Sequence, residues 1–364
     1  MSFDYQARMQ ALIASVDADV VALVPGANMV YFTGLHFHLS ERPTIAFLSK
    51  DGLSLIVPEL EQAKITQRPD LDARMFTWTD DTGHEGSFQE AVTTLGLTSK
   101  VLGVDGMTMR VFEWLALAQC GVELATSKDV SAALLLQRAK KTPEEVDAMR
   151  RAIALSEAAL QDTLDYAKPG MTEKQITAKL TDALAAHGSQ GHAFSPIVLT
   201  GPKSALPHGM PGDRVLGEDE FLLIDYGGTM DEYPADITRT FCLGTPSDEM
   251  RKIYGAVLQA NLAAQAAAKP GIACSAVDKA ARDVIEAAGY GEYFIHRTGH
   301  GLGLEGHEWP NIASNNDMLL EPGMVFTIEP GIYIPEIGGV RIEDNMLITE
   351  DGAESLTSYP RELT

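Results

Sequence analysis

Short apolar runs alternate with helical stretches through the first part of the chain. Val20-Val21-Ala22-Leu23-Val24, Thr44-Ile45-Ala46-Phe47-Leu48 and Leu53-Ser54-Leu55-Ile56-Val57 have the length and β-branched content of strands. Residues 108–119 carry the pattern of a helix. This alternation predicts an α/β amino-terminal domain over residues 1–130. A boundary is expected between Asp129 and Thr142, and a second domain over residues 131–364. The second domain opens on Thr142-Pro143-Glu144-Glu145, which reads as a helix start: Thr as N-cap, Pro first in the helix, Glu third. The apolar positions Ala148, Ile153 and Leu155 carry that helix towards Asp165.

The second domain repeats itself. Lys168-Pro169-Gly170-Met171 returns as Lys269-Pro270-Gly271-Ile272, a shift of 101 (168 to 269). A helical pattern and a glycine follow in each copy, the glycines being Gly188 and Gly289. Thr172 with Gln175 forms a capping box in the first copy. After each copy comes a strand pair carrying two acids, Asp225 with Asp236 and then Glu329 with Glu343. Two similar halves, each giving one acid pair, predict a site at a pseudo-twofold interface.

Length, charge and cysteines narrow the classes. At 364 residues each domain buries a real core. A net charge of −23 repels nucleic acid and otherwise reads as solubility. Cys120, Cys242 and Cys274 are far apart and form no Cys-x-x-Cys, which points away from a disulfide framework or thiolate zinc site and towards a reducing compartment. Met1 to Val20 holds scattered charges and no long apolar stretch, so no signal peptide, no membrane span and a cytoplasmic location are expected. His36, His38 and His84 are not grouped with acids and read as loop or surface residues, the alternative being that His36 or His38 reaches a neighbouring active site.

The acids of the second domain stand where charges do not belong. Asp225 ends the run Phe221-Leu222-Leu223-Ile224, Asp236 precedes Ile237-Thr238-Arg239-Thr240, and Glu329 follows Phe326-Thr327-Ile328. Glu343 follows Val340-Arg341-Ile342, and His300 lies in Thr298-Gly299-His300-Gly301. An unpaired buried carboxylate costs several kcal/mol, so several together need a cation. Any one of them can be explained as an ion-pair partner of Arg239, Arg297 or Arg341, but five in apolar or glycine-rich settings cannot. If the hairpin turn centres between Met230 and Asp231, Asp225 and Asp236 oppose each other with Cβ atoms roughly 5 Å apart. Like charges at that spacing must share a proton or bind a cation.

One histidine with four carboxylates is an oxygen-rich ligand set. It suits Mn²⁺, Co²⁺ or Fe²⁺ and admits Zn²⁺. Four carboxylates exceed what one ion needs, so two ions about 3.5 Å apart are expected, a pair that activates water and polarises a carbonyl for amide hydrolysis. His208, in Leu206-Pro207-His208-Gly209, and His307, seven residues after His300, are candidates for contacting an intermediate or moving a proton.

These motifs together resemble the pita-bread metallopeptidases (prolidase, aminopeptidase P, methionine aminopeptidase, creatinase), and most closely the bacterial and archaeal prolidases. The resemblance implies an α+β pita-bread catalytic domain with pseudo-twofold halves behind the α/β domain. It implies that Asp225 holds one ion through both oxygens, His300 and Glu329 hold the other, and Asp236 and Glu343 bridge. It implies Glu329 as general base, and His208 and His307 at the scissile carbonyl. It further implies a homodimer acting on small proline-containing peptides. In one place the chain departs from the pattern. After His307-Glu308-Trp309-Pro310 similar prolidases carry an arginine that binds the dipeptide carboxylate, and here Asn311 stands instead. An amide cannot make that bidentate ion pair. Arg341 is then expected to supply the cation, or longer Xaa-Pro-Yaa peptides are accepted, as by aminopeptidase P. A hydrolase or lyase of a small non-peptide on the same fold is the further alternative.

Overall fold

The computed structural model describes residues 3–363, and the chain divides between Arg138 and Ala139. This lies inside the 129–142 interval but after the expected 130/131 division, because all but the last residue of the amphipathic helix Ser131–Ala139 stays with the first unit.

The first unit is built on one mixed sheet. Its strands run in the spatial order Arg74–Trp78, Gly52–Pro58, Ile45–Ser49, Val20–Leu23, Leu102–Val104, Lys128–Asp129. The three strands expected from the sequence are its centre, paired antiparallel. The helix expected over 108–119 spans Val111–Gln119. His84 is not isolated: its ring packs edge-on against Trp78, Phe88 and Phe112.

The second unit displays the repeat. Helices Pro143–Tyr166 and Glu173–Ala186 form the first pair, and Asp248–Ala267 with Cys274–Ala287 the second. Both expected capping boxes close, at Thr142/Glu145 and Thr172/Gln175, each satisfying two otherwise unpaired donors and contributing about 1 kcal/mol. The two Lys-Pro-Gly turns are tied by matching backbone bonds. Gly170 N donates to Leu216 O, and Gly271 N to Leu320 O, both at 2.8 Å. Leu216 N returns to Met171 O, and Leu320 N to Ile272 O, again both at 2.8 Å. Gly170 and Gly271 have φ of 94° and 78°, a conformation that favours glycine.

Each helix pair is followed by a sheet. The first has the order Ile237–Cys242, Phe221–Tyr226, Ile197–Thr200. The second has the order Glu308–Ile312, Gly299–Gly301, Val325–Ile328, Asp344–Ile348, Ala353–Ser355. The halves join where the strand Gly338–Arg341 and the residues after it meet Ile237–Cys242. Arg341 N donates to Thr240 Oγ1 at 3.2 Å, Thr240 Oγ1 to Arg341 O at 3.1 Å, and Glu343 N to Thr238 O at 3.1 Å. This seam brings the two acid pairs together.

The first hairpin corrects the expected register. Met230 pairs with Tyr233, so the turn centres between Asp231 and Glu232, one residue later than expected. Asp225 therefore faces Thr238, not Asp236. The cause is the turn: Asp231 and Glu232 both take positive φ, 47° and 74°, as a two-residue hairpin turn requires. Asp236 lies two residues further on, on the same face as Asp225 and diagonal to it.

Candidate metal centre

Asp225, Asp236, His300, Glu329 and Glu343 all line one cavity of about 640 Å³ in the second unit, together with His208, His296, Arg297, His307 and Arg341. Each acidic ligand candidate sits where a strand begins or ends, while His300 is the middle residue of Gly299–Gly301. Asp225 is the penultimate residue of Phe221–Tyr226, and Asp236 directly precedes Ile237–Cys242. Glu329 directly follows Val325–Ile328, and Glu343 directly precedes Asp344–Ile348. Ile328 pairs with Asp344, and Gly331 with Arg341, in one continuous register. The ladder opens only between these pairs, and there Glu329 and Glu343 face each other.

Buried side chains hold the opening in shape. Asn261 Nδ2 donates to Ile328 O at 3.2 Å, Ile342 O at 3.1 Å and Asp344 Oδ2 at 3.1 Å, spanning both strands at the gap. Arg239, fully buried, donates to Glu343 O at 2.6 Å and Asp344 Oδ1 at 2.7 Å. Asn345 clasps the backbone of Asp236 on both sides: it accepts from Asp236 N at 3.2 Å and donates to Asp236 O. His300 is placed by its neighbours' lack of side chains. A Cβ on Gly299 would collide with Thr327 O, and one on Gly301 with Trp309 O. Only bare backbone fits between those strands. Asp278 fixes the approach, accepting from Thr298 N at 3.1 Å and Thr298 Oγ1 at 2.8 Å.

Asp236, His300 and Glu343 each offer a ligand atom, and these atoms all lie within 4.8 Å of one another. His300 Nε2 stands 3.2 Å from Glu329 Oε1 and 3.7 Å from Asp236 Oδ2. Thr238 Oγ1 donates to Glu343 Oε2 at 2.5 Å. Asp225 differs from expectation. Its Oδ2 is taken by Arg341 Nη2, while Oδ1 is buried with no hydrogen-bond partner. It thus offers one free oxygen, not two. A buried acceptor with nothing to accept from costs about 1–3 kcal/mol, and a cation removes that cost. The donor set therefore fits divalent ions.

The electrostatics point the same way. Burial, then the charge of Asp225, pushes the Asp236 carboxyl well above its ordinary value. Burial, then the charge of Asp236, does the same to Glu343. Burial raises Asp225 too, against the pull of Arg341. Glu329 runs the other way: burial would raise it, but the hydrogen bond and charge of His300 hold it down at about 2. His300 is lowered by burial, yet Glu329 and Asp236 outweigh that and leave it raised. Crowded carboxylates that keep protons mark a site built for a positive ion.

The remaining expected residues divide. His307 is exposed on the cavity rim, its ring 4.0 Å from that of His300, and burial and the His300 charge lower it to about 4. His208 lines the same cavity and is exposed. Arg341 does not present a free guanidinium. It is buried, with Nε on Thr238 Oγ1 at 3.1 Å, Nη1 on Tyr333 OH at 2.9 Å and Nη2 on Asp225. It orients Asp225. Asn311 does not line the cavity but accepts from Arg297 Nη1 at 2.5 Å.

Sequence reasoning overlooked Asn261, Asp344, Asn345, Tyr333 and His296. His296 is fixed in one tautomer by its partners. Nδ1–H donates to Arg297 O at 2.7 Å, and Nε2 accepts from Tyr333 OH at 2.8 Å. A polar Asn in the middle of the Ala-rich helix around residue 261 was the one local signal that could have been read.

The chain is similar to known peptidases along nearly its whole length. Residues 147–350 match metallopeptidase family M24, and residues 6–140 match the creatinase/prolidase N-terminal domain. An uncharacterized peptidase of Staphylococcus aureus is 35% identical over 345 residues, covering 94% of this chain and 96% of the relative. The crystal structure of dipeptidase PepE from Mycobacterium ulcerans superposes with a TM-score of 0.92 at 35% identity, covering 100% of this chain and 99% of that one. The prolidase of Pyrococcus horikoshii OT3 gives a TM-score of 0.89 at 31% identity, covering 98% and 100%. No helix among the described residues is long and apolar enough to cross a membrane. With a ligand-rich cavity in the matched region and near full-length similarity to peptidases, this chain belongs to metallopeptidase family M24, as a pita-bread enzyme carrying a creatinase/prolidase amino-terminal domain.

Proposed function

We propose that this protein hydrolyses the Xaa-Pro bond of short peptides at a centre holding two divalent ions. The observation that carries the reading is the set of five converging side chains with a buried, partnerless Asp225 Oδ1. Asp225, Asp236, His300, Glu329 and Glu343 hold the ions, Mn²⁺ or Co²⁺ being the first to try. Bound there, the ions supply a low-pKa water and Lewis acidity towards a carbonyl. The protein's own groups do the rest. Glu329, ionised at neutral pH and partly open to the cavity, takes a proton at a carboxylate oxygen. His307, neutral at that pH, and His208 stand on the rim as partners for the scissile carbonyl and the tetrahedral intermediate. An Xaa-Pro bond is a tertiary amide without N–H, so a site placing the proline ring gains selectivity over general peptidases. Protein loaded with Mn²⁺ or Co²⁺ should cleave an Xaa-Pro dipeptide and lose the activity on chelation. Full activity after exhaustive chelation would sink the reading.

A second reading, cleavage of longer Xaa-Pro-Yaa peptides, is favoured by one feature. Phe194 and Ser195 line both the cavity and an adjoining open depression bounded by Lys174, Thr177 and His192. That depression offers a path for a longer chain.

Metal affinity should fall as the pH is lowered. Asp236 and Glu343 keep protons well above the ordinary carboxylate range, and an ion must displace them. The raised folded values also stabilise the metal-free protein below that range, and this stability is lost as pH rises through them. The gain in thermal midpoint on adding Mn²⁺ should therefore grow from about pH 5 to about pH 8. A gain independent of pH would refute the assignment of these two acids.

A further inference from the structure

Both halves of the second unit bind a Thr-Gly step through a buried carboxylate. In the second half the step is Thr298-Gly299, immediately before His300. Asp278 Oδ1 accepts there from Thr298 N at 3.1 Å and Thr298 Oγ1 at 2.8 Å. In the first half the step is Thr200-Gly201, 98 residues earlier (200 to 298). Glu173 Oε1 accepts there from Thr200 N at 3.0 Å and Thr200 Oγ1 at 3.3 Å. Each carboxylate comes from the second helix of its pair, Glu173 from Glu173–Ala186 and Asp278 from Cys274–Ala287, and both are fully buried. Each also has a basic partner, Lys203 for Glu173 and Arg282 for Asp278.

The other oxygen of Glu173 does something more. Oε2 accepts from Gly212 N at 2.7 Å as well as from Lys203 Nζ. Lys174 N donates back to Gly212 O at 3.2 Å. One carboxylate thus closes both ends of the segment 200–212, and that segment carries His208 to the cavity. N–H bonds to an ionised carboxylate are about twice as strong as neutral ones, so the neck is the firm part of the loop. Further along, Ser204 Oγ accepts from Gly339 N at 2.8 Å, and Pro207 O from Arg341 Nη1 at 3.5 Å. Among the described residues no hydrogen bond fixes the His208 ring itself, so its place depends on the segment that bears it.

We propose that Glu173 is a positioning residue for the reaction: by closing the neck of 200–212 it holds His208 at the cavity, as Asp278 holds the approach to His300. This rests on the reading of the site as an Xaa-Pro hydrolase in which His208 serves the scissile carbonyl. Glu173 does not line the cavity, so it acts through the segment alone.

The test is a double-mutant cycle on Mn²⁺-loaded enzyme. Glu173→Gln keeps the shape but turns an amide N–H towards donors that need an acceptor. It should lower kcat/KM for an Xaa-Pro peptide about 10- to 100-fold, mainly in kcat, the cost of a group misplaced by about 1 Å. In a His208→Ala background the same substitution should cost less than about twofold, because the group it places is gone. Equal losses in both backgrounds overturn the proposal, and so does the absence of any loss in the first. Lys203→Met removes one of the four donors to Glu173 and should give a smaller loss that also vanishes with His208→Ala. It carries the test if Glu173→Gln does not fold. The Mn²⁺-induced gain in thermal midpoint should persist in both variants; its disappearance would mean that the damage reaches the metal ligands, against the proposal. Amide hydrogen exchange separates the neck from the reaction. Exchange should quicken at 200–212 in Glu173→Gln and stay unchanged around Asp225 and His300. Unaltered exchange at 200–212 overturns the proposal whatever the enzyme cleaves. Faster exchange confined to that segment, in a protein that cleaves no Xaa-Pro peptide, would keep the neck and sink the reaction.

Discussion

Glu343→Gln is expected to lower kcat/KM for an Xaa-Pro peptide by at least three orders of magnitude, a barrier increase of about 4 kcal/mol. Glu343 lies at the seam of the two halves, facing Glu329 across the opened ladder and bound by Thr238 Oγ1. Glutamine keeps the shape and an acceptor for Thr238 but offers no charge to a divalent ion. Asp236→Asn, on the opposite half, should behave alike. Both variants carry a second, independent signature. In the metal-free protein these carboxyls are held above their ordinary values by burial and by neighbouring carboxylates, Asp225 first for Asp236 and Asp236 first for Glu343. Removing one charge relieves that repulsion, so the metal-free thermal midpoint should rise slightly while the Mn²⁺-induced gain disappears. Each kcal/mol corresponds to about 2–4 °C in a domain of this size. A variant that loses activity but retains the full metal-induced gain would show that Glu343 serves substrate and not metal.

The second large effect lies one layer behind the ligands. Arg239→Met should destabilise the protein by about 3–5 kcal/mol, because it leaves a buried carboxylate with less compensation. Arg239 is fully buried and joins Thr238 O, Glu343 O, Asp344 and the carbonyls of Tyr359 and Pro360. Asp344 keeps Arg361 Nε at 2.7 Å, so Arg239→Met with Asp344→Asn should recover part of the loss. A midpoint unchanged by the single substitution would mean that Arg361 alone neutralises Asp344. The surviving protein should also bind Mn²⁺ about 10- to 100-fold more weakly, the usual cost of losing a group that orients a ligand.

Much of the site could be read in the sequence because its anomalies are local. An Asp at the end of Phe-Leu-Leu-Ile, or a Glu after Phe-Thr-Ile, violates the apolar pattern within a few residues. The two Lys-Pro-Gly turns and the capping boxes at Thr142 and Thr172 follow equally local rules, and the structure places both as expected. The register of the first hairpin was harder. Its turn residues, Asp231 and Glu232, include no Gly or Asn to mark the left-handed positions, so a one-residue error in the turn moved Asp236 out of line with Asp225.

Pairings between distant residues were not legible. Arg341 reaches Asp225 across a sequence separation of 116, and Arg239 reaches Asp344 across 105. Arg297 has no carboxylate partner among the described residues and leans on Asn311 instead. By itself the sequence marked five candidate ligating groups, two similar halves that supply them, and charges set in apolar strands. The tertiary structure alone decided which arginine is spent on a ligand and which still faces the cavity. That choice depends on how two sheets meet at one seam, where packing geometry and not chain order selects each charge's partner.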